Sequence, residues 1–163
     1  MRVLLPTDGS KEAAQAMRAA SRFLRAADRE VHVLYVTVQP RAPKSGAITR
    51  RAYQQRMAEE TRRVLKEAKQ ILGEEGVDAL TFCQSGSPAA VIMRESESYD
   101  ITAVGAKGLN ERSEFGLGPV ASRLVEHGSG CVLIMDAPQT KPAFCGCRVR
   151  STAKSSDGVG LSS

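Results

Sequence analysis

The residues most able to do chemistry in this chain are Gly105-Ala106-Lys107-Gly108, nine further residues, then Gly118-Pro119-Val120. The apolar run before them reads as a strand and the pattern after them as a helix. A loop in that position aims backbone N–H groups and the positive end of a helix dipole at one place, which suits an anion such as a phosphate. Glycine at 105, 108 and 118 removes the Cβ atoms that would hold a phosphate away from the backbone. Taken alone, such glycines fit an ordinary turn equally well. A second loop, Pro6 to Ser10, follows the first apolar run. Its Asp8 fits two roles, a ligand contact or the organiser of the turn before a helix.

The elements that position these loops follow from the hydrophobic pattern. Arg2 to Pro6 reads as a short buried strand, with Ser10 placed to cap the next helix. Ala13, Met17, Ala20, Leu24 and Ala27 recur at helical spacing and give that helix an apolar stripe. Val31 to Val38 is rich in β-branched residues with few polar interruptions, as in a strand buried on both faces. Gln39 to Thr49 carries Pro40, Pro43 and Gly46 and reads as a loop. A helix is predicted from about Arg50 to Gly73. Its inner face holds Tyr53, Met57, Thr61, Val64, Ala68 and Ile71, and Glu59 and Arg63 are an i,i+4 pair on its solvated outer face.

Val77 to Cys83 is the third predicted strand. Ser87 then reads as a cap and Pro88 as the first residue of a helix running to about Ser98. Asp100 to Gly105 is the fourth strand, Pro119 to about His127 a helix closed by Gly128, and Cys131 to Met135 the fifth strand. Strand and helix alternate throughout, which predicts an α/β fold with a parallel sheet, helices on both faces and right-handed crossovers. Ligands bind such sheets beyond the carboxyl ends of the strands, at the switch point of the strand order. The Pro6–Ser10 and Gly105–Gly118 loops are the two that can meet there.

Composition bounds the remaining choices. At 163 residues, with 42% hydrophobic and 25% charged residues, the chain fits one globular domain, here expected over residues 1–137. Trp is absent and aromatics are 4%, so Ala, Val, Leu and Ile must build the core. No apolar run approaches the roughly 20 residues that cross a bilayer. The N-terminus lacks a long apolar region with a cleavage site, so a cytoplasmic protein is expected, with no membrane partner. Cys83 and Cys131 lie in apolar runs, where free cysteines act as small hydrophobes. The net charge of +5 owes much to residues 138–163, where Lys141, Arg148, Arg150 and Lys154 outnumber Asp157. The nearly balanced body has no aromatic residues set between basic ones, which argues against a nucleic-acid partner. That Ser- and Gly-rich tail is expected to be disordered. Its Cys145-Gly146-Cys147 lacks the paired ligands of a zinc site.

Several enzyme signatures are missing: the phosphate-binding Gly-x-x-x-x-Gly-Lys loop, a dinucleotide Gly-x-Gly-x-x-Gly and a Gly-x-Ser-x-Gly elbow. Neither His32 nor His127 has a visible nucleophile or metal partner. No catalytic residue and no metal ligand can be named.

The two loops together resemble those of the universal stress protein family. Leu4-Leu5-Pro6-Thr7-Asp8-Gly9-Ser10 is similar to that family's opening strand and turn. Gly105-Ala106-Lys107-Gly108 with Gly118 follows its nucleotide-binding pattern, spacing included. Gly86-Ser87-Pro88 matches its Gly-x-Pro helix start, and Val132-Leu133-Ile134-Met135 its last strand; the likeness spans about Met1 to Ala137. The resemblance implies a three-layer α/β/α fold with five parallel strands in order 3-2-1-4-5. It implies a homodimer through the last strand, Cys131, Val132, Leu133, Ile134 and Met135. It also implies ATP or another adenine nucleotide, with or without Mg, bound without dedicated catalysis and read by a regulatory protein partner.

By that resemblance Asp8, beside Pro6 and Thr7, meets the adenine or ribose, and Val36 offers apolar and backbone contact to adenine. Gly105, Ala106 and Gly108 line the ribose and phosphates. Lys107 is either a phosphate contact or an exposed loop lysine. Gly118, Pro119 and Val120 take the terminal phosphates. Pro119 departs from the pattern, standing where nucleotide-binding members have Ser or Thr. Proline removes both a hydroxyl and a backbone N–H. Lys107 and Arg112 are offset in the same loop by Glu111 and Glu114. A dimeric interaction protein of the same fold, with no nucleotide, is the alternative.

Overall fold

A computed structural model describes residues 1–24, 29–38, 50–106, 117–128 and 130–135. Nine elements alternate along it: β1 (Arg2–Thr7), α1 (Lys11–Leu24), β2 (Glu30–Thr37), α2 (Arg50–Glu74), β3 (Ala79–Ser85), α3 (Pro88–Ser96), β4 (Ile101–Gly105), α4 (Pro119–His127) and β5 (Cys131–Met135). The five strands form one parallel sheet of order β3-β2-β1-β4-β5, the topology expected.

Alternation along each strand divides the core in two. Val3 and Leu5 of β1, Val31 and Val33 of β2, Ala79 and Ala103 pack under Met17, Ala20 and Leu24 of α1 and Ala68, Ile71 and Leu72 of α2. On the other face Leu4, Leu34, Val36 and Val104 pack under Val91 and Ile92 of α3 and Ala121 and Leu124 of α4. Burying one Val or Leu side chain contributes about 1.5–3 kcal/mol, so both layers fasten the sheet to its helices. The stripe predicted for α1 is buried at Ala13, Met17, Ala20 and Leu24, while Ala27 lies outside the described residues. Along α2, Val64, Ala68 and Ile71 are buried, and Tyr53, Met57 and Thr61 are half-buried.

Local hydrogen bonds explain where the elements differ from the sequence reading. β3 begins at Ala79, not Val77, because a helix-ending turn uses the Val77 amide. Val77 N–H donates to Leu72 O at 2.9 Å and Gly76 N–H to Gly73 O at 3.0 Å, with Gly76 left-handed at φ 74°. This is a Schellman closure, with Val77 packed in the same cluster as Leu72. β2 ends at Thr37, paired with Ser85, and Val38 is exposed. α3 stops at Ser96, where Ser98 N–H and Tyr99 N–H fold back onto Glu95 O and Ser96 O. β4 starts at Ile101, one residue later than expected, although Asp100 N–H already bonds β1 at Arg2 O. Ser87 occupies the cap position of α3 but makes no side-chain cap, so Pro88 and the Ser87 backbone start that helix. On α2, Arg63 pairs with Glu60 at 2.6 Å and Glu67 at 3.4 Å rather than with Glu59.

Cys83 and Cys131 are free and exposed, against the buried placement expected for them. Both lie on edge strands, where helices cover the sheet incompletely. Residues 39–49 and the tail from 136 lie outside the described residues.

Two left-handed glycines separate backbone strain from crowding. A Cβ at Gly76 meets nothing within 4 Å, whereas one at Gly9 (φ 75°) falls 2.8 Å from Val64 Cγ2. Gly76→Ala is therefore expected to cost about 1–2 kcal/mol, the penalty of a left-handed L residue. Gly9→Ala is expected to cost more, because α2 must also yield. Urea denaturation of both variants checks this, and equal losses would contradict the Gly9–Val64 contact.

Candidate functional site

Because every strand is parallel, all carboxyl ends lie at one edge of the sheet. The chain runs outward from β1 to β2 and β3, then crosses back to place β4 on the other side of β1. The connections after β1 and β4 therefore diverge, and a crevice opens between them.

The β1 side of this crevice is a tightly bonded turn. Thr7, buried, accepts the Gly9 N–H at its hydroxyl, 3.2 Å away. Asp8 Oδ1 accepts the Ser10 N–H at 2.9 Å, and Ser10 Oγ accepts the Ala13 N–H at 2.9 Å, the cap predicted for α1. Asp8 therefore does organise the turn. Its half-buried carboxylate also stands at this edge of the sheet, on the turn that follows β1. The left-handed Gly9 lets this turn approach α2 at Val64.

The β4 side is closed by Ala106. Its N–H donates to Met135 O at 2.9 Å, tying the end of β4 to the end of β5. Its carbonyl accepts the Gly118 N–H at 2.7 Å, tying the start of α4 to the same point. Residues on either side of the glycine segment thus share one anchor. The sequence implies that the amides of this loop are available to a ligand; at Gly118 that is incorrect, since Ala106 O accepts its N–H. Gly118 caps α4, Pro119 sits in its first turn and Ser122 N–H closes that turn on Gly118 O at 2.8 Å. Of the first amides of α4, helix geometry leaves those of Val120 and Ala121 without an intrahelical acceptor. Lys107 and Gly108, with Arg112, Glu111 and Glu114, lie outside the described residues.

The structure thus brings Pro6, Thr7 and Asp8 to the same edge as Gly105, Ala106, Gly118, Pro119 and Val120. Val36 ends near that edge too, but its side chain is 9% exposed and belongs to the core under α3. Only its backbone and a sliver of its side chain remain for a ligand.

Tyr35 is a neighbour that sequence reasoning missed. It pairs in register with Thr7, and its phenol is pushed above its ordinary pKa by burial and then by the Glu60 carboxylate; Asp8 adds to the rise, while Arg63 opposes it. Its one sequence signal was a polar-tipped aromatic at the end of an otherwise aliphatic strand. At the opposite edge of the sheet, His32 bonds Tyr99 Oη at 2.6 Å and Glu30 Oε1 at 3.0 Å, while Arg2 stacks over the Tyr99 ring at 4.8 Å. Burial raises the Tyr99 phenol as well. This cluster fastens β1, β2 and the α3–β4 turn, far from the crevice. Among the described residues no group of three or more His, Cys, Asp or Glu is arranged to hold a metal ion. No described helix is long and apolar enough to cross a membrane.

Comparison with known proteins agrees with this fold. The model of the universal stress protein family matches residues 1–135. A universal stress protein of Methanocaldococcus jannaschii is 28% identical over 141 residues, covering 85% of this chain and 83% of its own. The universal stress protein YxiE of Bacillus subtilis is 26% identical over 145 residues, covering 82% of this chain and 97% of its own. A universal stress protein solved in complex with cAMP superposes with a TM-score of 0.66 at 20% identity, covering 84% of this chain and 97% of that one. A family protein of Arabidopsis thaliana, solved with AMP bound, gives 0.61 at 17% identity, covering 83% and 91%. The structural likenesses speak to the fold, and the family model speaks to descent. With the 3-2-1-4-5 sheet and the family match over all five strands, the chain belongs to the universal stress protein family.

Proposed function

We propose that this protein is a dimeric regulatory module of the stress response that binds an adenine nucleotide (ATP, ADP or AMP) and carries no dedicated catalytic machinery. The observation that carries the reading is the pair of loops at the β1–β4 switch point, one presenting Asp8 and the other anchored through Ala106. The nucleoside end of such a ligand fits: Asp8 offers a carboxylate to ribose hydroxyls, and Gly105 and Ala106 present little side-chain bulk. Two proteins of the same fold are described with cAMP and with AMP, which favours adenine among the bases. At the phosphate end, Val120 and Ala121 amides and the α4 dipole remain. Mg would accompany a di- or triphosphate as its counter-ion.

The homodimer is proposed to form through β5. Its outer edge is unpaired in the sheet, and Cys131–Met135 carries no charge and no proline to discourage pairing. Nucleotide state would then be read by a regulatory protein partner, the protein acting in the cytoplasm. A second reading, an interaction protein with an empty site, draws on the engaged Gly118 amide and on Pro119.

Freshly purified protein, denatured and examined by mass spectrometry, is expected to release an adenine nucleotide, and added AMP, cAMP or ATP with Mg to raise the melting temperature. Absence of both would overturn the nucleotide reading in favour of the second one. For the dimer, Leu133→Pro is expected to give monomers or insoluble protein. Cys131→Arg places like charges at an isologous edge without touching the core, and is expected to give soluble monomers by light scattering. A soluble dimer from either variant would refute the β5 interface.

A further inference from the structure

We infer that Tyr99, His32 and Glu30 act as nucleophile, base and orienting carboxylate, and that the Tyr99 phenol accepts acyl groups from activated esters. The inference is independent of the nucleotide reading, since these residues stand at the opposite edge of the sheet. His32 Nε2 lies 3.0 Å from Glu30 Oε1, and an ionised carboxylate only accepts hydrogen bonds. Nε2 therefore carries the proton of the neutral imidazole, and Nδ1 is left as an acceptor. Tyr99 Oη, 2.6 Å from Nδ1, donates to it. The phenol proton is thus aimed at a base whose other nitrogen is held by a carboxylate. That is the arrangement by which proteins activate a hydroxyl nucleophile. The sequence shows no partner for His32 because Tyr99 lies 67 residues away, on the turn between α3 and β4.

The surroundings suit that chemistry. Burial raises the Tyr99 phenol above its ordinary pKa; Arg2 opposes the rise, and Glu95 and Glu30 add to it. The phenol is therefore neutral near neutral pH and must lose its proton as it attacks, which is the task of a neighbouring base. The His32 side chain is 14% exposed, with the Phe82 ring edge-on to it at 6.2 Å. Arg2 holds its guanidinium 4.8 Å from the centre of the Tyr99 ring, where a cation favours charge developing on the phenol. Tyr99 is half-buried, so a reagent still reaches it. Leu80 pairs in register with His32 and, like Phe82, shares its face of the sheet. Leu80 is 60% exposed and offers an apolar rest for a short acyl chain. In the step itself, Tyr99 Oη bonds the ester carbonyl carbon while its proton passes to His32 Nδ1. The bond from that carbon to the leaving oxygen then breaks, and His32 returns the proton to the departing group. Acylated Tyr99 and a free alcohol result, so the donors that fit have a leaving group less basic than tyrosine's phenolate.

The test is p-nitrophenyl acetate added to the folded full chain, with acetylation of each tyrosine followed by peptide mass spectrometry. Tyr35 and Tyr53, half-buried like Tyr99, are the internal references. Assistance by a positioned base is worth about a hundredfold or more, so Tyr99 is expected to react at least about tenfold faster than either. His32→Gln keeps an acceptor for the phenol but no base, and is expected to bring Tyr99 down to the rate of the references. Glu30 is a positioning residue. Glu30→Gln still accepts the Nε2 proton and is expected to retain more of the rate than Glu30→Ala. Circular dichroism checks that each variant folds. Should His32→Gln fail to fold, the wild-type ranking and the two variants of exposed Glu30 decide. Tyr99 reacting no faster than Tyr35 and Tyr53 would overturn the inference and leave the cluster as a structural fastening alone. A Tyr99 preference that folded His32→Gln retains would overturn it as well.

Discussion

Parallel pairing of β1 with both β2 and β4 is the constraint on which the remainder depends. It sends every carboxyl end to one edge and requires a helical crossover between successive strands. Since the crossovers are right-handed, reversing the direction of travel after β3 puts α1 and α2 on one face and α3 and α4 on the other. The two connections that flank β1 and β4 must then part. The crevice is thus a consequence of topology, and needs only suitable residues at Asp8 and Gly105–Ala106 to become a site.

The two edges of the sheet are built differently. At the amino-terminal edge, Arg2, Glu30, His32 and Tyr99 bond to one another, and Arg2 also reaches Asp100 and Ser98, so side chains join separate elements. At the carboxyl edge the bonds run mostly within the backbone or from a turn side chain to its own amides. Thr7, Asp8 and Ser10 satisfy their turn, and Ala106 gathers the ends of β4, β5 and α4. Such an arrangement holds the crevice in shape while leaving little side-chain bulk inside it.

Much of the fold was legible because its signals are local. The β-branched runs, the helical spacing of Met17, Ala20 and Leu24, and the Ser10 cap each survive into the structure. Boundaries were less legible where a backbone group had a competing partner. Val77 looks like a strand residue, yet its amide completes the Schellman turn that ends α2. Ser87 has the residue type and position of a cap without making the side-chain bond. Cys83 and Cys131 look buried from their neighbours, and no single run reveals that its strand lies at the edge of the sheet. Residue types and spacing singled out two loops that the strand order sets at one edge of the sheet. What the sequence could not disclose was a non-local hydrogen bond, Gly118 to Ala106, which withdraws a donor from the loop. Tyr35 was likewise hidden, since its proximity to Asp8 depends on strand register.

The central claim is that an adenine nucleotide occupies the crevice between β1 and β4. Amide chemical shifts of the isotopically labelled full chain, followed by NMR during titration with AMP, test it most directly. Shifts are expected at Asp8, Gly105, Ala106, Gly118, Val120 and Ala121, with Arg2, His32 and Tyr99 at the opposite edge unmoved. Shifts centred on that opposite edge, or none at the crevice, would contradict it.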